Sequence, residues 1–336
     1  MHGTPEISVI LPFYNARNTL DSAIFSIANQ TFTNWECILT DNNSTDGSRK
    51  IAETRCKHDS RFRLINENRQ GVVFASNAAT KKARGKYIAR MDADDVAMPE
   101  RLELQYRFLQ DHPDYGVVSG KVQYKGHQKM TAGFKRYVNW ANSVDTYEKI
   151  FHKQFIESPV VNPTAMWRQE VGCKLGLYRP GDFPEDYEMW LRWLAQGVKI
   201  GKVDEIILEW HDSDERLTRT HSIYQEEAFY RIKSHYLVRY LESINPFHPK
   251  VAVWGASRTS RRWLGFIEEQ GIEIEFFIDT KPHRTLNKAV VHYENIPSPS
   301  PCFILVYMKH EDIRWQINQF LTAKGFQEGV HFLHVS

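Results

Sequence analysis

Strand and helix signals alternate along the first hundred residues, and this alternation limits the possible folds more than any other feature. Short apolar runs predict strands at Ile7–Leu11, Glu36–Thr40, Phe62–Ile65 and Lys86–Met91. Segments with apolar residues at helical spacing lie between these runs. Strands that alternate with helices favour an α/β fold, with a mostly parallel sheet and helices on both faces.

Acidic residues follow two of the predicted strands. Open parallel sheets bind ligands at the carboxyl ends of their strands, so we expect Asp41 and Asp92 to face one crevice. The Asp92-Ala93-Asp94 turn offers carboxylate oxygens, the ligands that suit Mg²⁺ or Mn²⁺, and such a cation can bridge to a diphosphate. Most acidic turns are only solvated loops. The position of Asp92 and Asp94 between a strand and a helix is what favours the metal site here.

Further candidate site residues lie later in the chain, between residues 185 and 219. Glu185 and Asp186 begin a predicted helix, where they either stabilise the first turn or supply a general base. His211 has a structural role or lends an imidazole to the metal or diphosphate. Arg216 and Arg219 belong to a solvated basic loop or clamp phosphate oxygens.

Composition excludes several classes of protein. The formal net charge is +2 over 336 residues, which does not indicate a nucleic-acid binder. The four cysteines form no C-x-x-C pair, as in a reduced chain, and the N-terminus lacks the features of a signal peptide. No apolar run is long enough to cross a bilayer. We therefore expect a cytoplasmic protein, with peripheral association at the inner face of the cytoplasmic membrane and homo-oligomerisation left open.

The chain is predicted to divide into two domains. Residues 1–244 would form the larger one, with one half at 5–115 and a second half at 116–244 that contains a hairpin at Gly116–Gly126 and two helices within 222–243. Two prolines in residues 245–249 predict a linker. Residues 250–336 then open a smaller β/α unit.

This smaller unit is similar to the first half of a Rossmann fold, with Asp279 where a ribose-binding acid stands. Ser257 and Ser260 occupy positions where the dinucleotide fingerprint needs glycine, and their side chains would obstruct close approach to a pyrophosphate. We therefore expect no NAD.

Six motifs lie within residues 5–225: Ser8–Asn15, Asp41–Gly47, Asn68–Gly71, Ala83–Ile88, Met91–Asp95 and Pro184–Arg192. Together they resemble family 2 glycosyltransferases with the GT-A nucleotide-diphospho-sugar transferase fold. In such an enzyme, residues 5–115 would be the nucleotide-binding half and residues 116–244 the acceptor half, and assembly or acceptor docking is the preferred role for the smaller unit. The order and spacing of these motifs carry the resemblance more than any one of them.

The resemblance implies roles for matching residues. The nucleotide pocket would be lined by Pro12, Phe13, Asn15, Asp41, Arg69 and Gly71. Asp41 would bind the base, most often uracil. Asp92 would face the ribose and donor sugar, Asp94 would hold the metal, and Asp186, with Glu185 beside it, would be the base of an inverting transfer. A histidine is common in the family where this chain has Asn162, so no catalytic role is assigned to that residue.

The predicted activity is hexosyl transfer from a UDP-sugar to a saccharide, lipid-linked or protein-linked acceptor, in surface polysaccharide or glycan synthesis. One alternative is a sugar nucleotidyltransferase, but that class needs a glycine-rich loop where this chain has Pro12-Phe13-Tyr14-Asn15. A non-catalytic carbohydrate-binding or scaffold protein is another alternative. It would be expected to have lost Asp94 or Asp186.

Overall fold

The computed structural model describes residues 3–126, 132–212, 221–281, 287–297 and 300–336. Two compact units are present. The first consists of Met1–Ile150 and Pro159–His221, and the second consists of Phe151–Ser158 and Ser222–Ser336.

A mixed sheet forms the centre of the first unit. In the described part of the chain its eight strands are β1 (Ile7–Phe13), β2 (Trp35–Asp41), β3 (Phe62–Asn66), β4 (Tyr87–Arg90), β5 (Val96–Ala97), β6 (Tyr115–Lys125), β7 (Met166–Arg168) and β8 (Lys199–His211). They lie in the order β3-β2-β1-β4-β7-β6-β8-β5. Strands β3, β2, β1 and β4 are parallel, and β7 is antiparallel to both of its neighbours. The sheet confirms the predicted α/β class.

Helices connect these strands and continue into the second unit. They are α1 (Leu20–Ala28), α2 (Ser48–His58), α3 (Val72–Lys82), α4 (Arg101–Asp111), α5 (Ala132–Ser143), α6 (Tyr147–Lys153), α7 (Gln169–Leu175), α8 (Glu185–Ala195), α9 (Glu226–Ile244), α10 (Arg258–Glu268) and α11 (Glu311–Ala323). Single 3₁₀ turns occupy Asn162–Thr164, Ser222–Tyr224 and Tyr293–Asn295.

Strands β1 and β2 are buried along their whole length, as expected for parallel strands covered on both faces. A buried polar cluster links the amino-terminal halves of β1 and β2 to the segment that connects α3 to β4. Glu36 accepts hydrogen bonds from Ser8 Oγ at 2.8 Å and from the Arg84 main chain at 2.8 Å. These bonds hold residues 84–85, which directly precede β4, against β1.

The second unit has its own sheet, made of β9 (Lys250–Trp254), β10 (Glu273–Asp279), β11 (Val290–His292), β12 (Phe303–Val306) and β13 (Phe332–His334). All its described pairs are parallel, in the order β11-β10-β9-β12-β13. This is the strand order of doubly wound folds. Helix α9 packs against α10, and the predicted linker at 245–249 lies inside this unit.

Two local predictions were wrong. Residues Gly116–Gly126 do not form a hairpin, because Tyr115–Lys125 is one strand. Gly120 makes no turn there; a Cβ at this position would lie 2.5 Å from Ile207 Cδ1, so glycine allows β6 and β8 to pack closely. The two helices predicted within 222–243 are one 3₁₀ turn followed by the single helix α9. In the described residues, no helix is both long and apolar enough to span a bilayer.

Candidate active site

The loops after β1 and β2 are tied together by hydrogen bonds. The Asn42 N–H donates to Phe13 O at 3.0 Å. Asn15 adopts a left-handed conformation with φ of 48°. Its N–H donates to Ser44 Oγ at 3.1 Å, and its Oδ1 accepts from Thr45 N at 2.8 Å. Pro12 and Phe13 are buried in β1 directly before this loop, so the predicted pocket residues of both loops form one rim.

Asp41 is the last residue of β2 and lies opposite Phe13 in the parallel register. Its side chain is almost buried. One carboxylate oxygen accepts from Ser44 N at 3.0 Å, and the other accepts from Arg49 at 3.3 Å. Asp41 is therefore held in one orientation at the edge of the sheet where the sequence predicts it.

Asn42 is a site residue that the sequence reading missed. Its side chain is 3% exposed. The amide nitrogen donates to Glu67 O at 2.7 Å and to Arg69 O at 2.8 Å, while Oδ1 accepts from Gly71 N at 2.7 Å. This buried side chain thus binds three main-chain groups of the 67–71 loop, and Asn43 Nδ2 adds a hydrogen bond to Asn68 O at 2.9 Å. The polar turn that begins at Asp41 contained the signal, but the partners lie about one β/α unit further along the chain.

Arg69 and Gly71 stand at the rim of this region. The Arg69 guanidinium binds both Glu67 carboxylate oxygens, at 3.0 and 3.1 Å, and lies 4.8 Å from the Phe74 ring centre. Gly71, with φ of 130°, precedes α3. A side chain at this φ would be strained, which explains the glycine. The Arg69 guanidinium is therefore exposed and held by Glu67 at this rim.

Three carboxylates form a compact acidic turn after β4. Ligand oxygens of Asp92, Asp94 and Asp95 all lie within 4.8 Å of one another. Oxygen donors so close together fit a hard divalent cation. Asp95, which was not predicted as a ligand, belongs to this cluster. Among the described residues, the predicted ligand His211 is not part of it.

Two buried arginines lie behind the acidic turn. Arg90 contacts Asp92 Oδ1 at 2.5 Å, and Arg101 donates to Arg90 O at 2.6 Å. Burial lowers the pKa of Arg101 to about 10, which the charges of Asp95 and Asp92 partly oppose. Arg101 is therefore a cation at neutral pH and offsets the repulsion among the three carboxylates. Nothing in the α4 sequence separates it from an ordinary helix-surface arginine.

His211 ends β8, and its main chain is tied to the acidic turn. The His211 N–H donates to Asp95 Oδ1 at 2.9 Å, while the ring nitrogen Nε2 lies 3.9 Å from Glu209. The hydrogen bond to Asp95 comes from the His211 backbone. Binding of the metal or diphosphate by the His211 imidazole stays a prediction. Arg216 and Arg219 lie outside the described residues.

Asp186 lies in the first turn of α8, as predicted, with Pro184 at the N-cap. Its Oδ1 accepts from the Tyr187 N–H at 2.7 Å. Burial raises the pKa of Asp186 far above its ordinary value, and repulsion from Glu185 and Asp92 raises it further. The same repulsion shows that Asp186 and the acidic turn are brought within electrostatic reach of one another, although 94 positions separate Asp92 from Asp186 along the chain.

Tyr178 also belongs to this part of the site. Its side chain is buried, and its hydroxyl donates to Asn162 Oδ1 at 2.9 Å. Burial raises the pKa of the Tyr178 hydroxyl, and the nearby charges of Arg90 and Asp186 act on the same group. Sequence reasoning missed Tyr178, because a lone tyrosine in an irregular loop gives no signal.

Known sequences are similar to parts of this chain. The sequence model described as "Glycosyl transferase family 2" matches residues 8–172. EpsE of Bacillus subtilis, named as a glycosyltransferase, is 43% identical over 120 residues, which are 35% of this chain and 43% of EpsE. TuaG of the same organism, named as a teichuronic acid biosynthesis glycosyltransferase, is 37% identical over 108 residues, 32% of this chain and 43% of TuaG. The chain thus matches less than half of either relative. The uncharacterized glycosyltransferase MJ1057 of Methanocaldococcus jannaschii is 28% identical over 239 residues, 69% of this chain and 80% of MJ1057.

Solved structures share the fold at low sequence identity. Staphylococcus aureus TarS, in complex with UDP-GlcNAc, aligns with a TM-score of 0.56 at 19% identity, over 70% of this chain and 66% of that one. The mannosyltransferase PcManGT from Pyrobaculum calidifontis, in complex with GDP-Man and Mn²⁺, aligns with a TM-score of 0.52 at 18% identity, over 71% and 64%.

Proposed function

The chain belongs to glycosyl transferase family 2 and has the α/β fold of its structural neighbours, and from this premise we propose that it transfers a sugar from a nucleotide-sugar to an acceptor hydroxyl with inversion. The proposal is supported above all by the convergence of the acidic turn and Asp186 in one site. A transfer of this kind needs both a group that accepts the hydroxyl proton and charge stabilisation for the leaving diphosphate.

Asp186 is the proposed general base. A buried carboxylate with other negative charges nearby has a raised pKa and therefore a higher affinity for the proton of the acceptor hydroxyl. Its fixed place in the first turn of α8 holds the carboxylate in one position relative to the acidic turn. Glu185, which is buried beside it, contributes negative charge that raises the affinity of Asp186 for the proton.

The acidic turn is proposed to hold Mg²⁺ or Mn²⁺. Asp94 and Asp92 would be ligands, as the family resemblance implies, and Asp95 is added because its oxygen belongs to the same cluster. A bound cation supplies a Lewis acid for the charge that develops on the diphosphate. The hydrogen bond from His211 N–H would hold Asp95 in place, and the positive charge of Arg101 would offset part of the negative charge of the cluster.

The nucleotide is proposed to bind across the rim formed by the loops after β1, β2 and β3. Asp41 would accept hydrogen bonds from the base, since it stands at the edge of the sheet in one orientation. Arg69 would turn from Glu67 to the phosphates. UDP is the proposed nucleotide, by resemblance to the family. The acceptor is proposed to be a saccharide of a surface polysaccharide or glycan, free or carried on lipid or protein, and TuaG is a relative named for such a pathway.

The test is a panel of UDP- and GDP-sugars, assayed for nucleoside diphosphate release with Mn²⁺ and with EDTA. We expect release from one or two donors, dependent on the cation and strongly reduced in Asp94→Ala and Asp186→Asn. Unchanged turnover in Asp186→Asn would exclude it as the base. Full activity in EDTA would exclude the cation role of Asp94.

A further inference from the structure

Asn162 lies beside the start of the acidic turn because of the strand register. Strand β7 runs antiparallel to β4, with Ala89 opposite Met166. The next bond continues this pairing, since Arg90 N–H donates to Ala165 O at 2.8 Å. The Asn162–Thr164 turn, which directly precedes Ala165, contacts β4. This places the Asn162–Thr164 turn next to the segment where Asp92 begins the acidic cluster.

Tyr178 holds the Asn162 side chain from the other direction. Its hydroxyl donates to Asn162 Oδ1 at 2.9 Å, and its main-chain carbonyl accepts from Asn77 Nδ2 at 2.8 Å. The Tyr178 loop is attached to α8, because Arg192 donates to Leu177 O at 2.7 Å. This is the helix that begins with Glu185 and Asp186. Asn162 is thus fixed by a group that the base-bearing helix positions.

With Oδ1 occupied, Asn162 has two N–H donors left on its side-chain amide. No described residue accepts a hydrogen bond from them, and the side chain is half-buried rather than enclosed. A neutral amide donor matches a sugar hydroxyl or carbonyl oxygen. It does not match a cation, and the phosphates have positively charged partners available.

The position of Asn162 indicates which sugar it would contact. In a single displacement the transferred sugar lies between the leaving diphosphate and the attacking hydroxyl. Asn162 is next to the acidic turn, which would hold the diphosphate. It is also hydrogen-bonded to Tyr178, whose hydroxyl lies close enough to Asp186 for the charge of that carboxylate to act on it. This residue therefore stands between the two ends of the reaction.

We propose that Asn162 donates a hydrogen bond to an oxygen of the transferred sugar and helps to select the donor, with Tyr178 as its positioning residue. The inference rests on the proposed function and adds a specificity determinant to it. The side-chain amide of Asn162 keeps its N–H donors at every pH.

The test uses the full chain with its preferred nucleotide-sugar and the deoxy analogues of that sugar. In Asn162→Ala we expect kcat/KM for the natural donor to fall roughly threefold to tenfold, the range for one hydrogen bond. The affinity for the nucleoside diphosphate alone, measured by calorimetry, should not change. One deoxy analogue should be a poorer donor than the natural sugar for the wild type but not for Asn162→Ala.

Tyr178→Phe should lower kcat/KM for the natural donor less than Asn162→Ala does. The double variant should be no worse than Asn162→Ala, since Tyr178 acts through Asn162. Asn29→Ala is the matched control, because Asn29 is exposed at the C-cap of α1 and, among the described residues, its side chain donates only to Phe25 O, within that helix.

The inference about Asn162 and the proposed function are contradicted by different results. Equal donor kinetics in Asn162→Ala and wild type, or losses in the double variant that simply add, would overturn the roles of Asn162 or Tyr178 in a working enzyme. A wild type that releases no nucleoside diphosphate from any donor contradicts the proposed function, and this inference with it.

Discussion

Replacing Asn42 by alanine tests how the nucleotide rim is built, and the result does not depend on any ligand. In the structure this one buried side chain makes three hydrogen bonds to the main chain of the 67–71 loop. Alanine removes all three partners at once. Glu67 O, Arg69 O and Gly71 N would then have to find water or remain unpaired.

The size of the effect follows from the number of bonds. A hydrogen bond within a folded protein contributes about 1 kcal/mol on average, so three contribute about 3 kcal/mol to the closed state of the loop. Each 1.4 kcal/mol corresponds to a factor of ten, so opening of the loop should become about a hundredfold more frequent. Asn42→Asp should open the loop as well, since it would place a carboxylate oxygen against two carbonyl oxygens.

Amide hydrogen exchange at Gly71 measures this opening directly, because its N–H is bonded to the Asn42 side chain at 2.7 Å. We expect exchange at Gly71 to accelerate by about two orders of magnitude in Asn42→Ala. The control Asn29→Ala should leave Gly71 unchanged. If Gly71 in Asn42→Ala exchanges within a factor of three of the wild-type rate, the loop is held by other contacts and the reasoning fails.

Two further predictions concern catalysis and stability. Because the pKa of Asp186 is raised, by burial and then by Glu185, its unprotonated form accumulates only as pH rises. We therefore expect kcat/KM to climb through neutral pH to a plateau, with the rise moved to lower pH by Mn²⁺ binding near Asp92; a profile flat from pH 5 to 9 would contradict this. Gly85→Ala should destabilise the fold by about 1–3 kcal/mol, since its Cβ would lie 2.6 Å from the Ser8 main-chain nitrogen. Gly265→Ala, in the open on α10, should be neutral or stabilising in the same thermal unfolding assay, and equal melting temperatures for the two variants would refute the packing argument.

Local sequence patterns were sufficient for the first four strands of the first sheet, β1 to β4. The runs around Ile7 and Glu36 became β1 and β2, which are buried at every residue, because parallel strands covered on both faces are mostly apolar. The run around Phe62 became β3. The helix that starts at Glu185 followed a proline in the N-cap position, a local signal that requires no distant partner.

The errors arose where a distant partner decides the local structure. Residues Gly116–Gly126 were predicted to form a hairpin, but Gly120 lies in the middle of β6, where a Cβ would be 2.5 Å from Ile207 Cδ1 of the neighbouring strand. Glycines within an apolar stretch give the same local pattern in a hairpin and in a closely packed strand. Only the pairing of β6 with β8 separates them.

The sequence by itself determined the α/β class, the positions of Asp41, Asp92 and Asp94 after their strands, and the place of Asp186 at a helix start. These features depend on residues close together in the chain. Tertiary structure alone decided that Asn42 holds the 67–71 loop, that Arg101 supports the acidic turn, and that Tyr178 meets Asn162. The reason is physical: a hydrogen bond or ion pair depends on separation in space, and one sequence records only separation along the chain.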